Sequence, residues 1–63
     1  MKFLNFTNDG SPIVVNVAHV MFVRPRAEGG TYVMMAEYDG RQNMLIVAES
    51  FKHVFDSIAE ATT

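Results

Sequence analysis

The chain lacks cysteine and tryptophan, and no charge sign dominates among its 63 residues. Without cysteine it has neither a disulfide framework nor a thiolate metal site. Five basic residues stand against seven acidic ones, and a net charge of −2 disfavours a general binder of the nucleic-acid backbone. The longest stretch with few charges, residues 7–24, is interrupted by Asp9 and is too short and too mixed to span a bilayer. No secretory leader pattern opens the chain, so we expect a cytoplasmic protein.

What the chain does contain is a high proportion of apolar residues, 49% of the total, which favours collapse into a folded domain. Its length predicts one small domain over residues 1–63. A chain of this size buries only about 60% of its unfolded surface, and small domains usually add disulfides, a metal or a partner subunit. With the disulfides excluded and no metal site evident, we expect a homo-oligomer, most simply a dimer.

Regularly spaced turn residues divide the first 48 residues into short apolar segments. Asp9-Gly10 and Asp39-Gly40 are dipeptides typical of tight β-hairpins, and Gly29-Gly30 ends a longer loop. Residues 16–18 are interpreted as a turn or bulge, and Pro25 is expected to end a strand. The predicted strands cover residues 2–7, 12–15, 19–24, 31–38 and 41–48.

The last segment has a helical period instead. Its apolar residues recur at helical spacing and predict a helix over residues 50–61, with Ser50 as the N-cap. The predicted apolar stripe consists of Phe51, Val54, Phe55, Ile58 and Ala59. The fold class expected is α+β: an antiparallel β-meander of four to five strands followed by one C-terminal α-helix packed on the sheet.

Few residues of the chain suit catalysis or metal binding. His19 and His53 are the only histidines, and a shared metal site would need a third ligand. The serines have no neighbouring base in the sequence, and no glycine-rich phosphate loop is present. We therefore expect no enzyme, with no catalytic, cofactor-binding or metal residues and no cofactor.

Two classes of binding surface fit the sequence. The first is protein association, because several strands are apolar on both faces and methionine adapts to irregular contacts. The alternative is nucleic acid, bound by a small basic patch and by aromatic rings on the sheet. The phenylalanines are expected in the core, which leaves the tyrosines as half-exposed rings. The association residues are Met21, Val23, Met34, Met35 and Met44; the nucleic-acid residues are Lys2, Arg24, Arg26, Tyr32 and Tyr38.

A pattern of turns and apolar positions extends over nearly the whole chain, from Phe3 to Ile58. It comprises Thr7, Asp9-Gly10, Asn16, His19-Val20, Val23, Gly30-Thr31, Asp39-Gly40, Val47 and Glu49-Ser50, then a helix with Val54 and Ile58. This pattern resembles the short FlbD-like proteins associated with flagella and swarming motility in bacteria. Arg24-Pro25-Arg26 and the Met34-Met35 pair depart from that family's pattern.

The resemblance implies a small bacterial accessory or regulatory protein without catalytic residues. Proteins of this size also occur in phages and other mobile elements. The function expected is therefore non-enzymatic and based on protein–protein contacts, with nucleic-acid binding as the alternative.

Overall fold

A computed structural model describes residues 2–36 and 41–62 of the chain. Within these residues, five β-strands and a short 3-10 helix precede one α-helix. The strands are β1 (Phe3–Asn8), β2 (Ser11–Asn16), β3 (Val20–Pro25), β4 (Thr31–Ala36) and β5 (Gln42–Val47), and the helix is α1 (Phe51–Ala61). β1 and β2 form one antiparallel sheet, and β3, β4 and β5 form a second in that order. The predicted α+β class, with antiparallel strands followed by a packed helix, is confirmed.

The first hairpin has the two-residue turn that its Asp-Gly dipeptide predicted. Asn8 lies opposite Ser11 across the ladder, which leaves Asp9 and Gly10 as the turn residues. Their φ angles are 52° and 79°, and a type I′ turn requires positive φ at both central positions. The second Asp-Gly turn, at residues 39–40, lies outside the described residues.

The segment between β2 and β3 differs in detail from the sequence prediction. Residues Val17–His19 form the 3-10 helix, and the side chain of Asn16 caps it by accepting a hydrogen bond from the Ala18 N–H at 3.0 Å. His19 therefore belongs to this 3-10 turn and not to the start of a strand. A β-bulge follows, because the register shifts between Val20 and Phe22. Met21 is the extra residue at this bulge.

Pro25 ends β3, as predicted, but it is itself the last paired residue, opposite Thr31, one residue beyond the predicted strand 19–24. The position tolerates proline because β3 is an edge strand, where a missing N–H need not break a ladder. Five residues further on, Gly30 has a φ of 83° and approaches the end of β5 closely.

The two sheets meet where β1 runs beside the end of β5. The Ala48 N–H donates to the Thr7 carbonyl at 2.8 Å, and the Asn8 side-chain amide donates to the Ile46 carbonyl at 2.7 Å. These contacts hold the first hairpin against the three-stranded sheet, so that the inner faces of both enclose one core.

The core is built mainly from valine. Its buried apolar side chains, one each from β1, β2, β4, β5 and α1, are Phe6, Val15, Val33, Val47 and Val54. The expectation that the phenylalanines form the core is wrong for Phe3, Phe22 and Phe55, which are exposed. In these short strands the pairing register decides which face a ring occupies, and the register turns Phe22 outward.

Helix α1 begins after Ser50, whose hydroxyl accepts a hydrogen bond from the His53 N–H at 3.2 Å, as an N-cap should. Only part of the predicted apolar stripe is buried. Val54 and Ile58 pack against the core, whereas Phe55 and Ala59 remain exposed. Among the described residues, no helix is long and apolar enough to cross a membrane.

Candidate interaction surface

The three-stranded sheet presents one face to the core and the other to solvent. Because side chains alternate along a strand, the cross-strand pairs determine which residues share the solvent side. On that side Phe22, Met34 and Met44 form one row across the three strands, and Arg24, Tyr32 and Ile46 form the next. We call these six residues the outer face.

Most of the outer face is apolar and accessible. Phe22 is 40% exposed and Met44 and Ile46 are each 42% exposed, while Tyr32 and Met34 are half-buried between them. The rows are continuous across the sheet, so these side chains form one patch and not isolated surface residues. Contiguous exposed apolar patches of this kind mark contact sites in small soluble proteins.

Two arginines border this patch and lie beside its aromatic rings. The Arg24 guanidinium is 5.4 Å from the centre of the Phe22 ring, and the Arg26 guanidinium is 5.4 Å from the centre of the Tyr32 ring. Both distances are in the range of cation–π attraction. Arg26 also forms an ion pair with Glu28 at 3.1 Å, which offsets its charge locally.

The predicted nucleic-acid residues are therefore only partly brought together. Arg24, Arg26 and Tyr32 lie side by side at one end of β3 and β4. Lys2 lies elsewhere, in a shallow pocket formed with the C-terminal part of α1. Tyr38 lies outside the described residues.

The predicted association residues divide between two environments. Met34 and Met44 are on the outer face, and Met21 is 48% exposed at the bulge of β3. Val23 and Met35 lie on the opposite side of the sheet, where they pack partly buried against the core. Phe22, Ile46 and Phe55 were not predicted for this surface. Alternation along β5 places Ile46 on the same face as Met44, whereas Phe22 joins the methionines only through the strand pairing.

A second apolar feature adjoins β3 on the side of the helix. It is a groove of about 300 Å³, and we call it the β3–α1 groove. Its lining comprises Val17, Val20, Met21, Phe22, Val23, Phe55, Ile58, Ala59 and Thr62. Phe55 is 54% exposed at its rim. The exposed part of the helical stripe is thus one wall of this groove.

Glu49 holds the two sheets and the start of the helix together. Its carboxylate accepts hydrogen bonds from the Thr7 N–H at 2.9 Å and from the Thr7 hydroxyl at 3.0 Å. Its main-chain carbonyl accepts from the hydroxyl of Thr31, which is fully buried, at 3.0 Å. Partial burial raises the pKa of Glu49, but the hydrogen bonds from Thr7 and from its own N–H outweigh this, and the pKa lies below its ordinary value. The role of Glu49 is structural, because its contacts with Thr7 and Thr31 join separate strands to the segment before the helix.

The histidines occupy separate parts of the structure. His53 lies on α1 with its ring edge-on to Phe6, at 6.4 Å between ring centres, and His19 ends the 3-10 turn. Within residues 2–36 and 41–62, no group of three or more histidine, cysteine or acidic side chains is arranged to hold a metal ion.

Comparison with protein-family models, with curated proteins and with solved structures found no match for this chain. The outer face and the β3–α1 groove are therefore the features from which a function can be inferred.

Proposed function

We propose that this chain is a small, non-enzymatic, cytoplasmic accessory or regulatory protein of a bacterium, phage or other mobile element. It acts by binding other protein chains, and it works as a homo-oligomer, most simply a dimer. The accessory or regulatory, non-catalytic part of this role is what the resemblance to FlbD-like proteins implies. The observation that carries the proposal is the outer face, a continuous apolar patch on a domain whose core is small.

The chemistry of the outer face favours a protein partner. Phe22, Met34, Met44 and Ile46 offer apolar area and adaptable thioethers, and Tyr32 adds a ring with a polar end. Aromatic residues, methionine and arginine are the side chains enriched at protein interfaces. Arg24 and Arg26 at the border would supply the polar rim.

A dye that fluoresces on apolar surfaces tests the role of the outer face. We expect the native protein to bind the dye, and we expect Met44→Lys to reduce the signal because it places a charge within the apolar patch. Val14→Lys is the matched control, since Val14 is an exposed apolar residue on β2, 64% accessible, outside the outer face. Equal signals from the two variants, or no dye binding by the native protein, would count against the proposal.

Nucleic-acid binding is the second candidate function, favoured by one observation: two arginines each lie beside an aromatic ring at one end of the sheet. Aromatic rings stack on exposed bases, and arginine contacts phosphate. This function predicts an affinity for single strands that falls steeply with salt and drops in Arg24→Ala and Arg26→Ala. Absent or salt-insensitive binding would exclude it.

A further inference from the structure

Strand β3 has an open edge. In the described parts of the chain β3 pairs on one side only, with β4, whereas β5 at the other side of the sheet meets β1. An unpaired edge presents main-chain N–H and C=O groups that can pair with another strand. The β3–α1 groove runs beside this same edge.

The ladder register shows which groups point outward. The Arg26 N–H donates to the Gly30 carbonyl at 3.2 Å, and Arg24 lies opposite Tyr32 two residues along. In an antiparallel ladder every second pair is hydrogen-bonded, so the main-chain N–H and C=O of Arg24 also point towards β4. Val23, which directly precedes Arg24 and lies opposite Val33, belongs to a non-hydrogen-bonded pair of this ladder and therefore directs its N–H and C=O to the open edge.

We propose that two copies of this chain pair antiparallel along their β3 edges, about a twofold axis at Val23, and so form one six-stranded sheet. This inference rests on the proposed function, because it specifies how the homo-oligomer forms. The N–H of Val23 in each copy would donate to the Val23 carbonyl of the other. Such an interface is self-complementary, as twofold symmetry requires.

The side chains on either side of Val23 suit this pairing. An axis at Val23 places Phe22 of one copy opposite Arg24 of the other, and the same pair occurs twice. Within one chain the Arg24 guanidinium already lies 5.4 Å from the Phe22 ring, so the two groups attract each other at contact distance. Pairing across the axis would give each ring a second cationic neighbour and each arginine a second ring.

The groove would receive the apolar side chains of the incoming strand. The side chain of Val23 lines the groove together with Phe55 and Ala59, and an opposing Val23 would enter on the same side of the sheet. Met21, Phe22 and Phe55 are about half exposed, and with the strand main chain they would bury roughly 500 Å² per copy. That area lies at the low end for specific interfaces and predicts a dimer that dissociates on dilution.

The pairing is limited to a few residues. The bulge at Met21 interrupts the strand at one end, and Pro25 lacks an N–H at the other. Bulges and prolines are the devices that keep edge strands from pairing without limit. A discrete dimer follows, and its two outer faces would combine into one apolar platform that remains open to a different protein.

Cross-linking with single cysteines tests the position of the axis, because the native chain has no cysteine of its own. In the proposed dimer the two copies of residue 23 are a hydrogen-bonded pair with Cα atoms about 5.5 Å apart, which a disulfide can bridge. Under mild oxidation we expect Val23→Cys to form covalent dimers at least tenfold faster than Val14→Cys. Met44→Cys, on the outer face, should be as slow as Val14→Cys. Fast cross-linking of Met44→Cys with slow cross-linking of Val23→Cys would overturn the β3 edge as the interface.

A pair of charge variants gives an independent readout. Phe22→Glu would place a carboxylate opposite Arg24 of the other copy and retain the dimer, whereas Phe22→Arg would oppose two arginines. We expect the dimer of Phe22→Arg to be at least tenfold weaker than that of Phe22→Glu, measured by light scattering over a dilution series. Equal dimerisation of the two variants would contradict the β3 pairing but leave the proposed function intact. A native protein that is monomeric at every concentration would refute the homo-oligomer and this inference together.

Discussion

Gly30 allows a direct test of the packing that positions β4 against β5. A β-carbon at this position would lie 2.5 Å from the Val47 carbonyl oxygen, and Gly30 has a φ of 83°. Gly30→Ala should therefore lower the free energy of unfolding for two reasons. The left-handed backbone costs about 1–2 kcal/mol, and forcing two segments of main chain apart costs about 1–3 kcal/mol. A chain of this length has a total stability of about 3–9 kcal/mol, so the variant should lose a large fraction of it.

Gly10 provides the matched control. Its φ is 79°, close to that of Gly30, but a β-carbon there would meet nothing within 4 Å. Gly10→Ala should therefore show only the backbone cost of about 1–2 kcal/mol. The assay is urea unfolding followed by circular dichroism, with all proteins at one concentration, because dimerisation adds to stability. If the free energies of unfolding of the two variants differ by less than about 0.5 kcal/mol, the close approach to Val47 does not exist in solution.

Three further predictions concern the hydrogen bonds between Glu49 and Thr7, the start of the helix and the outer face. Because the pKa of Glu49 is lowered in the folded state, its contribution to stability is present above its ordinary pKa of 4.5 and is lost as the pH falls through the folded value. The urea midpoint of the native protein should therefore fall more between pH 7 and about pH 3 than that of Glu49→Gln. Equal falls would show that the hydrogen bonds of the Glu49 carboxylate do not stabilise the fold. Ser50→Ala should lower the free energy of unfolding by about 1 kcal/mol, because the His53 N–H loses its acceptor. An unchanged urea midpoint would show that Ser50 does not stabilise the start of the helix. Met44→Lys should change the free energy of unfolding by less than about 0.5 kcal/mol, since the side chain is exposed, and a larger loss would show that the outer face is part of the core.

The elements of this fold that depend on local chemistry were predictable from the sequence. Asp9-Gly10 forms the turn expected of it, because positive φ at both positions is a property of those two residues. The helix begins after Ser50 and ends at Ala61, because the apolar period and the cap are also local signals.

The features that depend on register and tertiary contact were not predictable. Nothing local to Met21 indicates a bulge, and nothing local to Thr7 indicates its bonds to Glu49, 42 residues away. The same limit applies to the interaction surface. The methionines at 34 and 44 were recognised as unusual, but only the pairing shows that they share a face with Phe22, while Met35 lies on the core side.

Light scattering during size exclusion, with absorbance followed at 260 and 280 nm, tests most directly whether this protein acts through protein contacts. Two tyrosines and no tryptophan give weak absorbance at 280 nm, so bound nucleic acid would be obvious. We predict a particle of twice the 7.1 kDa chain mass at high micromolar concentration, without a raised absorbance ratio. A mass of one chain at that concentration would contradict the account. A raised ratio that collapses with added salt would contradict it as well, in favour of the arginines beside the aromatic rings.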